Sequence, residues 1–450
     1  MTVLSKPQVP HRISFFDSVP YTCYEVAHTW EPSCTYSFLH TVRDSFKFSL
    51  QVYLAFYLVT TLPKLRKKKN RNFKTILKFI REVLQSSMFL CANGSVFLGS
   101  FCVLRTIFGK FYGWHGILAG FFAGYISIIL ERKSRRGALA LYITNLATET
   151  LFHMAVSRGL VTAVPNGEVM LLCLASAGFM SLYRTPGALS ESMRTPVAYL
   201  VGKCEGGTEE RPTQGLNPFL QWIKQLTPKH RTCKHAHSCI YYIAEGGCKQ
   251  FALGYLIELF LNCLKMARRK APTNKLAMFI NSTSLAYFLG GYTALFRACN
   301  CILRWIFNQD KPTLFGGAAG AVAGISSWFY KSSSISLFLL FKLAEEMMFK
   351  SIGAGYLPHI PDMDCYIYAM SLALILHVAC VEPHNIRSGY WNFLCNVSGR
   401  KFPGMFRKML DCFGTNASTL YPDFIPPLDP KFATSPDVIK VMIASGKWSV

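Results

Sequence analysis

Long apolar stretches, separated by short segments rich in charge or proline, dominate the order of hydrophobic and polar positions along the chain. These stretches approach the roughly 20 apolar residues that a helix needs to cross a bilayer. They form two sets: Phe46–Leu62, Val83–Leu104, Trp114–Leu130, Ala138–Val156 and Val169–Tyr183, then Phe251–Leu264, Leu276–Leu303, Leu314–Tyr330, Ile335–Ile352 and Tyr366–Val381. The pattern predicts membrane helices, although the first and last stretch of each set are short for a full crossing.

The two sets contain matching sequence motifs in the same order. The matching pairs are Ala119–Gly124 with Ala319–Gly324, Cys102–Arg105 with Cys301–Arg304, and Leu146–Phe152 with Leu343–Phe349. Their offsets of 200, 199 and 197 residues are difficult to explain by chance. The chain is therefore predicted to contain a duplicated membrane unit, an organisation found in many transporters and also in inert scaffolds.

These patterns together predict an all-α integral membrane protein. We expect two tandem repeats of about 200 residues, each with four to five membrane helices. The predicted segments are an N-terminal tail (1–20), a first membrane repeat with a Cys/His-containing head (21–200), a linker (201–231), a second membrane repeat with a Cys/His-containing head (232–385) and a C-terminal tail (386–450). Residues 1–20 lack the continuous apolar run of an ordinary signal peptide.

Basic residues follow the first apolar stretch of each set. They are Lys64, Arg66, Lys67, Lys68, Lys69, Arg71, Lys74, Lys78 and Arg81 in one set and Lys265, Arg268, Arg269, Lys270 and Lys275 in the other. Short basic loops prefer the cytoplasmic side, so both repeats are expected to enter the membrane in the same direction, with an even number of crossings each. One stretch per repeat would then lie on the surface or insert partly. Five crossings per repeat, which would invert the second copy, are the alternative.

The composition supports a membrane protein over a soluble enzyme. Hydrophobic residues make up 51% and charged residues 16% of the chain, whereas soluble domains carry about 25% charged residues. The net charge of +24 is concentrated in short runs beside apolar stretches. This arrangement is typical of interaction with anionic lipid headgroups rather than with nucleic acid, which needs a basic folded surface. Membrane lipids are therefore a predicted partner and nucleic acid is not.

Small residues predict where helices pack together. The glycines stand four residues apart and are Gly116, Gly120 and Gly124 in one stretch, and Gly316, Gly320 and Gly324 in the matching stretch. Such spacing leaves a stripe without side chains, where another helix can approach closely. We interpret both stripes mainly as helix-packing surfaces.

Two carboxylates stand at matching positions within the apolar stretches, Glu149 and Glu346. A charge at the centre of a membrane helix costs about 2.5 to 3.5 kcal/mol by translocon scales, so it usually faces a partner or a watery cavity. Arg105 and Arg304, at the ends of the second stretches, are the expected partners. A static ion pair, or an interfacial helix with an exposed Glu, is favoured over a role in ion or proton conduction.

A group of cysteines and histidines precedes each repeat. The members are Cys23, His28 and Cys34 in the first group and Cys233, His235, His237 and Cys239 in the second. Thiolate and imidazole are good zinc ligands, and the second group has enough of them for four-coordination. The spacing lacks the paired C-x-x-C units of a standard zinc finger, so reduced cysteines near a membrane surface are the simpler interpretation. No metal or other cofactor is predicted.

Common motifs of covalent and phosphate chemistry do not occur in the sequence. It has no G-x-S-x-G elbow, no G-x-x-x-x-G-K loop, no H-E-x-x-H pair and no dinucleotide fingerprint following a strand. We therefore predict no catalytic residues and no enzymatic activity.

Longer motifs occur at Cys23–Glu25, His28–Trp30, Pro32–Cys34, Glu131–Gly137, Asn145–Phe152, Phe329–Ser333 and Asp423–Pro430. They closely resemble the transmembrane protein 135 family, also called a peroxisomal membrane protein, from about residue 21 to residue 430. The glycine-spaced helices are also similar, more distantly and over part of each repeat, to the pore-subunit family of the mitochondrial inner-membrane translocases.

The resemblance implies an organelle and a process, which residue spacing does not. It implies a multi-pass protein of mitochondrial and peroxisomal membranes that promotes mitochondrial fission through the dynamin-related GTPase and affects peroxisome organisation and lipid handling. That GTPase is the expected protein partner. A transporter or lipid conduit that acts through Glu149, Glu346 and the glycine stripes is the alternative.

Overall fold

The structure is a computed structural model that describes residues 16–65, 73–208, 228–268, 283–413 and 425–447. Its helices are α1 (Cys23–Val26), α2 (Cys34–Leu65), α3 (Phe73–Phe108), α4 (His115–Leu130), α5 (Lys133–Ser157), α6 (Gly167–Arg184), α7 (Glu191–Val201), α8 (Cys239–Arg268), α9 (Ser284–Phe307), α10 (Pro312–Gly324), α11 (Ser333–Gly353), α12 (Met363–Val381), α13 (Ser388–Val397) and α14 (Pro436–Ala444). Strands β1 (Ser18–Val19) and β2 (Phe111–Tyr112) pair antiparallel, with Ser18 opposite Tyr112. The all-α prediction is confirmed.

Several predicted features lie outside the described residues. They are most of the N-terminal tail, the basic segment Arg66–Arg71, most of the predicted linker, and Arg269, Lys270 and Lys275.

Local sequence explains where several helices begin and end. Asn166 and Asp362 have left-handed backbone conformations, with φ of 57° and 52°, immediately before α6 and α12. Asn and Asp tolerate this region better than most side chains do. Asn308, with φ of 50°, ends α9 in the same way, and Pro312 begins α10, where its missing N–H is not needed.

The described helices fall into two compact units. Unit 1 comprises residues 1–163 and 360–450, and unit 2 comprises residues 164–359. The units do not follow the predicted repeats in sequence order. Helix α6, which contains the last apolar stretch of the first predicted repeat, belongs to unit 2, whereas α12, which contains the last apolar stretch of the second, belongs to unit 1. We call α6 and α12 the exchanged helices.

Unit 1 is built around five long helices. Helix α2 packs against α3, α3 against α4, α4 against α12, and α12 against α5. Phe89 and Phe101 of α3 are buried in its core together with Ile375 of α12. Val438 and Met442 of α14 belong to the same core, so residues near the C-terminus form part of unit 1.

Unit 2 shows the same order of helix contacts with different helices. Helix α8 packs against α9, α9 against α10, α10 against α6, and α6 against α11. Each unit thus contains four consecutive helices of one predicted repeat and, from the other repeat, the helix that contains its last apolar stretch. Helices α2–α5 with α12, and α8–α11 with α6, are therefore matching sets.

Two of the described helices, α3 and α12, are long and apolar enough to cross a membrane. Helix α4 is also apolar but has only 16 residues. More than half of the apolar window of α3 and of α12 is buried within unit 1, so both helices also form its core. Four to five spans per repeat stay a prediction.

Candidate functional sites

The glycine stripe on α4 is the place where α4 meets α12. A Cβ atom added to Gly120 would lie 2.7 Å from the Cα atom of Ala373, and one added to Gly124 would lie 2.8 Å from the Cα atom of Ala369. Gly116 approaches α12 one turn earlier. Because Cβ atoms do not come so close to backbone atoms, this contact requires glycine.

Helix α10 carries the matching stripe and meets α6. A Cβ atom added to Gly320 would lie 2.5 Å from the carbonyl oxygen of Ser176, and one added to Gly324 would lie 2.6 Å from the Cα atom of Cys173. Gly316 approaches α6 in the same way. In both units the stripe contacts the exchanged helix, so α6 and α12 occupy matching places in the two units.

Glu149 lies buried on α5 and has a cationic partner. Its Oε2 atom accepts a hydrogen bond from Arg387 Nη2 within an ion pair. Arg387 is the N-cap residue of α13, so the carboxylate lies near the N-terminal end of that helix, where the helix dipole favours negative charge. Glu149 therefore links α5 to the start of α13.

Glu346 occupies the matching place on α11 and is also buried. Its carboxylate accepts hydrogen bonds from the backbone N–H of Ser190 at 3.1 Å and from Ser190 Oγ at 2.6 Å. Ser190 is the N-cap residue of α7. Each repeated glutamate thus holds the start of the short helix that follows the exchanged helix of its unit, through an ion pair in unit 1 and through hydrogen bonds in unit 2.

The two arginines expected to pair with these glutamates have other partners. Arg105 donates from Nε to the carbonyl oxygen of Tyr21 at 2.7 Å and from Nη2 to that of Pro20 at 3.2 Å. Arg304 is buried and forms an ion pair with Glu205 at 2.8 Å. This differs from the expected pairing because the residues before α1 lie against the end of α3, and the turn after α7 lies against the end of α9, which residue spacing does not reveal.

Three cysteines and one histidine meet in unit 1. Cys23, His28, Cys34 and Cys102, here called cluster 1, place one donor atom each so that all four atoms lie within 4.8 Å of one another. His28 Nε2 lies 3.2 Å from Cys34 Sγ, and His28 Nδ1 lies 2.7 Å from the carbonyl oxygen of Glu31. Cys34 is exposed, whereas the other three members are buried. Hydrogen bonding with Cys102 lowers the pKa of the Cys23 thiol well below its usual range, against the opposing effect of burial.

Residues near the C-terminus hold cluster 1 in place. Glu25 of α1 forms a capping box with Thr22 and accepts hydrogen bonds from the backbone N–H groups of Thr434 at 2.8 Å and Ser435 at 2.7 Å. Burial raises the pKa of Glu25, but the hydrogen bonds from Thr22, Ser435 and Thr434 outweigh this effect, so the pKa is lowered. The segment that leads into α14 therefore fixes the turn that presents the first members of the cluster.

A second cluster of the same composition lies in unit 2. Cys233, His235, Cys239 and Cys301 form cluster 2, and their donor atoms lie within 4.8 Å of one another. All four residues are buried. His235 Nε2 lies 3.5 Å from Cys239 Sγ and 3.7 Å from Cys301 Sγ, and His235 Nδ1 lies 2.7 Å from the carbonyl oxygen of His237.

The clusters differ from the groups singled out in the sequence. His237 is not a donor in cluster 2: its carbonyl oxygen contacts His235, and its ring packs edge-on against Tyr241. The fourth members, Cys102 and Cys301, come from the ends of α3 and α9. The signal for them was present in the matching motifs that each begin with one of these cysteines, but those motifs indicated only a duplication.

A third group of donors lies at the start of α12 and consists of Asp362, Asp364 and Cys365. Asp362 is exposed and pairs with Arg136 at 3.6 Å. With three donors and an exposed carboxylate, this group does not form a closed site.

Comparison with known families identifies the region that contains cluster 1. Residues 20–156 match the family model for the N-terminal cysteine-rich region of Transmembrane protein 135. The match supports the assignment of the chain to the transmembrane protein 135 family. Membership of this family supports a membrane protein. No solved structure matches the chain, and the distant likeness to the translocase pore subunits stays a prediction.

Within the matched region, the charged motif Glu131–Gly137 covers the turn between α4 and α5 and the first residues of α5. The carboxylate of its first residue is buried and accepts hydrogen bonds from Ser86 Oγ at 3.3 Å and from Arg135 at 3.2 Å. Arg136 donates to the carbonyl oxygen of Ile129 at 2.8 Å. This family motif thus joins the turn to α3 and to the end of α4, which is a structural role.

Proposed function

We propose that this member of the transmembrane protein 135 family is a multi-pass regulator in mitochondrial and peroxisomal membranes. It would promote mitochondrial fission through the dynamin-related GTPase and influence peroxisome organisation and lipid metabolism, as the family resemblance implies. It would act as a scaffold and not as an enzyme. The family match supports the membrane location in general, and the organelles and the GTPase partner are parts of the proposal.

The contacts of the two buried carboxylates are the observation that favours a scaffold over a conduit. A glutamate that moves ions or protons across a membrane needs a releasable partner or a water-filled cavity. Glu149 instead contacts Arg387, and Glu346 accepts two hydrogen bonds from Ser190. The glycine stripes are in contact with the backbones of the exchanged helices. These contacts favour a rigid helix assembly over a conduit.

The start of α3 offers a surface for lipid. Phe73, Ile76, Leu77 and Ile80 are exposed there, directly after the basic segment Arg66–Arg71. Exposed apolar side chains beside basic residues suit the headgroup layer, where each basic residue contributes about 1 kcal/mol near an anionic surface. We infer that this end of α2 and α3 faces the cytosol, where a soluble GTPase would reach it.

Neutralising the basic segment tests the regulatory proposal. A variant with Gln in place of each Lys and Arg from Arg66 to Arg71 should fail to restore mitochondrial fission and GTPase recruitment in cells that lack the native protein. Arg43→Gln with Lys440→Gln changes exposed cations elsewhere in unit 1 and should restore both. Full rescue by the neutralised variant would contradict the proposal.

Orientation of the two basic loops is a separate test. Epitopes inserted after Lys68 and after Arg269 should both bind antibody when only the plasma membrane is permeabilised, because basic loops favour the cytosolic side. Access to one epitope and protection of the other would support inverted repeats with five crossings each.

A cavity in unit 1 favours lipid handling as a second candidate function. It has a volume of about 280 Å³ and is lined mainly by aromatic and aliphatic side chains of α2, α3, α5, α12 and α13. Among its few polar groups, Tyr368 donates a hydrogen bond to Asn93 Oδ1 at 3.0 Å. Apolar cavities with a few polar groups are typical of small-molecule sites. This one suits an acyl chain or another apolar part of a lipid.

Filling the cavity tests the lipid site. Leu372 lines the cavity and is 2% exposed, so Leu372→Trp should reduce labelling of the purified protein by a photoreactive fatty acid. Leu174→Trp, at an exposed position of unit 2, is the matched control. Unchanged labelling of a stable Leu372→Trp variant would exclude the site. Ion or lipid flux in liposomes that Glu149→Gln abolishes would instead establish a conduit.

A further inference from the structure

We propose that each unit binds one structural zinc ion through three thiolates and one imidazole. The ligands are the members of cluster 1, Cys23, His28, Cys34 and Cys102, and of cluster 2, Cys233, His235, Cys239 and Cys301. The two clusters share the donor set, the donor separations, the orientation of the histidine and a neighbouring arginine.

The donor set and its spacing select the metal. Three thiolates with one imidazole form a standard composition of four-coordinate structural zinc sites. Zinc–sulfur distances of about 2.3 Å and zinc–nitrogen distances of about 2.0 Å put tetrahedral donors roughly 3.5 to 3.8 Å apart. His235 Nε2 lies 3.5 Å from Cys239 Sγ and 3.7 Å from Cys301 Sγ, and His28 Nε2 lies 3.2 Å from Cys34 Sγ. These nitrogen–sulfur separations are close to those that a bound ion requires, and the other donor pairs lie within 4.8 Å.

Each histidine is oriented to bind a metal through Nε2. The Nδ1 atom lies 2.7 Å from a backbone carbonyl oxygen in both clusters, that of Glu31 for His28 and that of His237 for His235. A carbonyl oxygen can only accept a hydrogen bond, so Nδ1 carries the proton and Nε2 presents its lone pair to the sulfur atoms. Histidines that bind metals are typically held by this kind of hydrogen bond.

An arginine stands beside each cluster at the matching position of α3 or α9. Three thiolates and one zinc ion together carry a net negative charge, which a nearby cation stabilises. Arg304 Nη1 lies 4.0 Å from Cys233 Sγ. Arg105 lines the same pocket as Cys23 and Cys34. The arginines at the matching positions thus do not pair with the glutamates on α5 and α11. Each of them places a positive charge beside the thiolates of a cluster.

The ligands join the same parts of the chain in both units, although their spacing differs. The head segment supplies Cys-x4-His-x5-Cys in unit 1 and Cys-x-His-x3-Cys in unit 2, and the last ligand lies near the end of α3 or α9. The ion would tie the head segment to a long helix, so its binding free energy would contribute to folding. Disulfide bonding accounts for the clusters less well, because three thiols in each would leave one cysteine unpaired.

The test is the metal content of full-length protein purified in detergent without chelators. Elemental analysis should find two zinc ions per chain, one for each cluster. Cys102→Ser and Cys301→Ser should each lose one ion, and the double variant should lose both. Cys91→Ser and Cys380→Ser change buried cysteines outside the clusters, so these matched controls should keep both ions.

Substitutions of the two neighbouring histidines sharpen the assignment. His237→Ala removes a ring that is not a donor in cluster 2 and should leave both ions bound, whereas His235→Ala should lose one. His235→Cys keeps four donors and should retain zinc better than His235→Ala does. This order separates loss of a ligand from general misfolding.

X-ray absorption at the zinc edge provides a measurement on the unmodified protein. The expected shell is three sulfur atoms at about 2.3 Å and one nitrogen atom at about 2.0 Å. Wild-type protein without stoichiometric zinc, retention of both ions by the double variant, or a mass of the unreduced protein that shows disulfides among these cysteines would each overturn the proposal.

Discussion

Units 1 and 2 share an order of helix contacts but enclose their Cys/His clusters differently. In unit 1, Cys34 is exposed, and residues of the segment before α14 hydrogen-bond to Glu25 beside the cluster. In unit 2, every member of the cluster is buried, and the buried pair of Arg304 and Glu205 lies next to it. One donor set is therefore stabilised in two ways, by a docked chain segment in unit 1 and by buried charges in unit 2.

The matched arginines should give the largest difference between the units. Arg304→Met leaves Glu205 buried with Arg184 at 3.6 Å as its remaining cation, and loss of one partner of a buried pair costs about 3 to 5 kcal/mol. Arg105→Met removes hydrogen bonds to carbonyl oxygens at a half-buried position and should cost about 1 kcal/mol. Thermal unfolding in detergent measures both losses. Equal losses would contradict the different roles of the two arginines.

The glycine stripes should give the next largest effect, similar in both units. Gly120→Leu and Gly320→Leu add bulk where a Cβ atom would already lie 2.7 Å or 2.5 Å from backbone atoms, and overpacking costs about 1 to 3 kcal/mol. Both variants should show lower cellular abundance and a lower unfolding temperature. Gly137→Leu is the control, because a Cβ atom there meets nothing within 4 Å. Normal stability of both stripe variants would exclude the packing role.

The buried glutamates should give a smaller effect that differs between the units. Glu149→Gln removes an ion pair with Arg387, whose side chain is 35% exposed, so the loss should be about 1 kcal/mol or less. Glu346→Gln keeps an oxygen that can accept from Ser190 and should cost less. Thermal unfolding and fission rescue should be measured together, with Glu245→Gln at a surface pair as the control. Normal stability with lost activity would favour a conduit.

The smallest effect is a difference in the rate of metal release, which depends on the zinc proposal. Cluster 1 contains the exposed Cys34, whereas cluster 2 is wholly buried. A chelator should therefore remove zinc faster from the Cys301→Ser variant, which keeps only the ion of cluster 1, than from Cys102→Ser. Faster release from cluster 2 would contradict this comparison of the two environments.

Local spacing predicts part of this structure and leaves another part open. The glycine spacing around Gly120 and Gly320 predicts a close helix contact, since it describes one helix face. It does not indicate which helix fills that face, because α6 and α12 are both apolar and stand at matching positions. The sequence does not predict the members of the clusters for a similar reason, because they come from separate parts of the chain. Cys102 lies far along the chain from Cys34, and their proximity depends on how α2 packs against α3.

The most direct test of the exchanged arrangement is to determine which helix packs against α5, since the structure places α12 there. Thr144 Oγ1 on α5 lies 3.0 Å from Ser371 Oγ on α12, so Thr144→Cys with Ser371→Cys should form a disulfide under mild oxidation, detected in unreduced peptides by mass spectrometry. Leu174→Cys supplies the matching position on α6. The exchanged arrangement predicts a cross-link from Thr144→Cys to Ser371→Cys. A cross-link to Leu174→Cys in its place would contradict it.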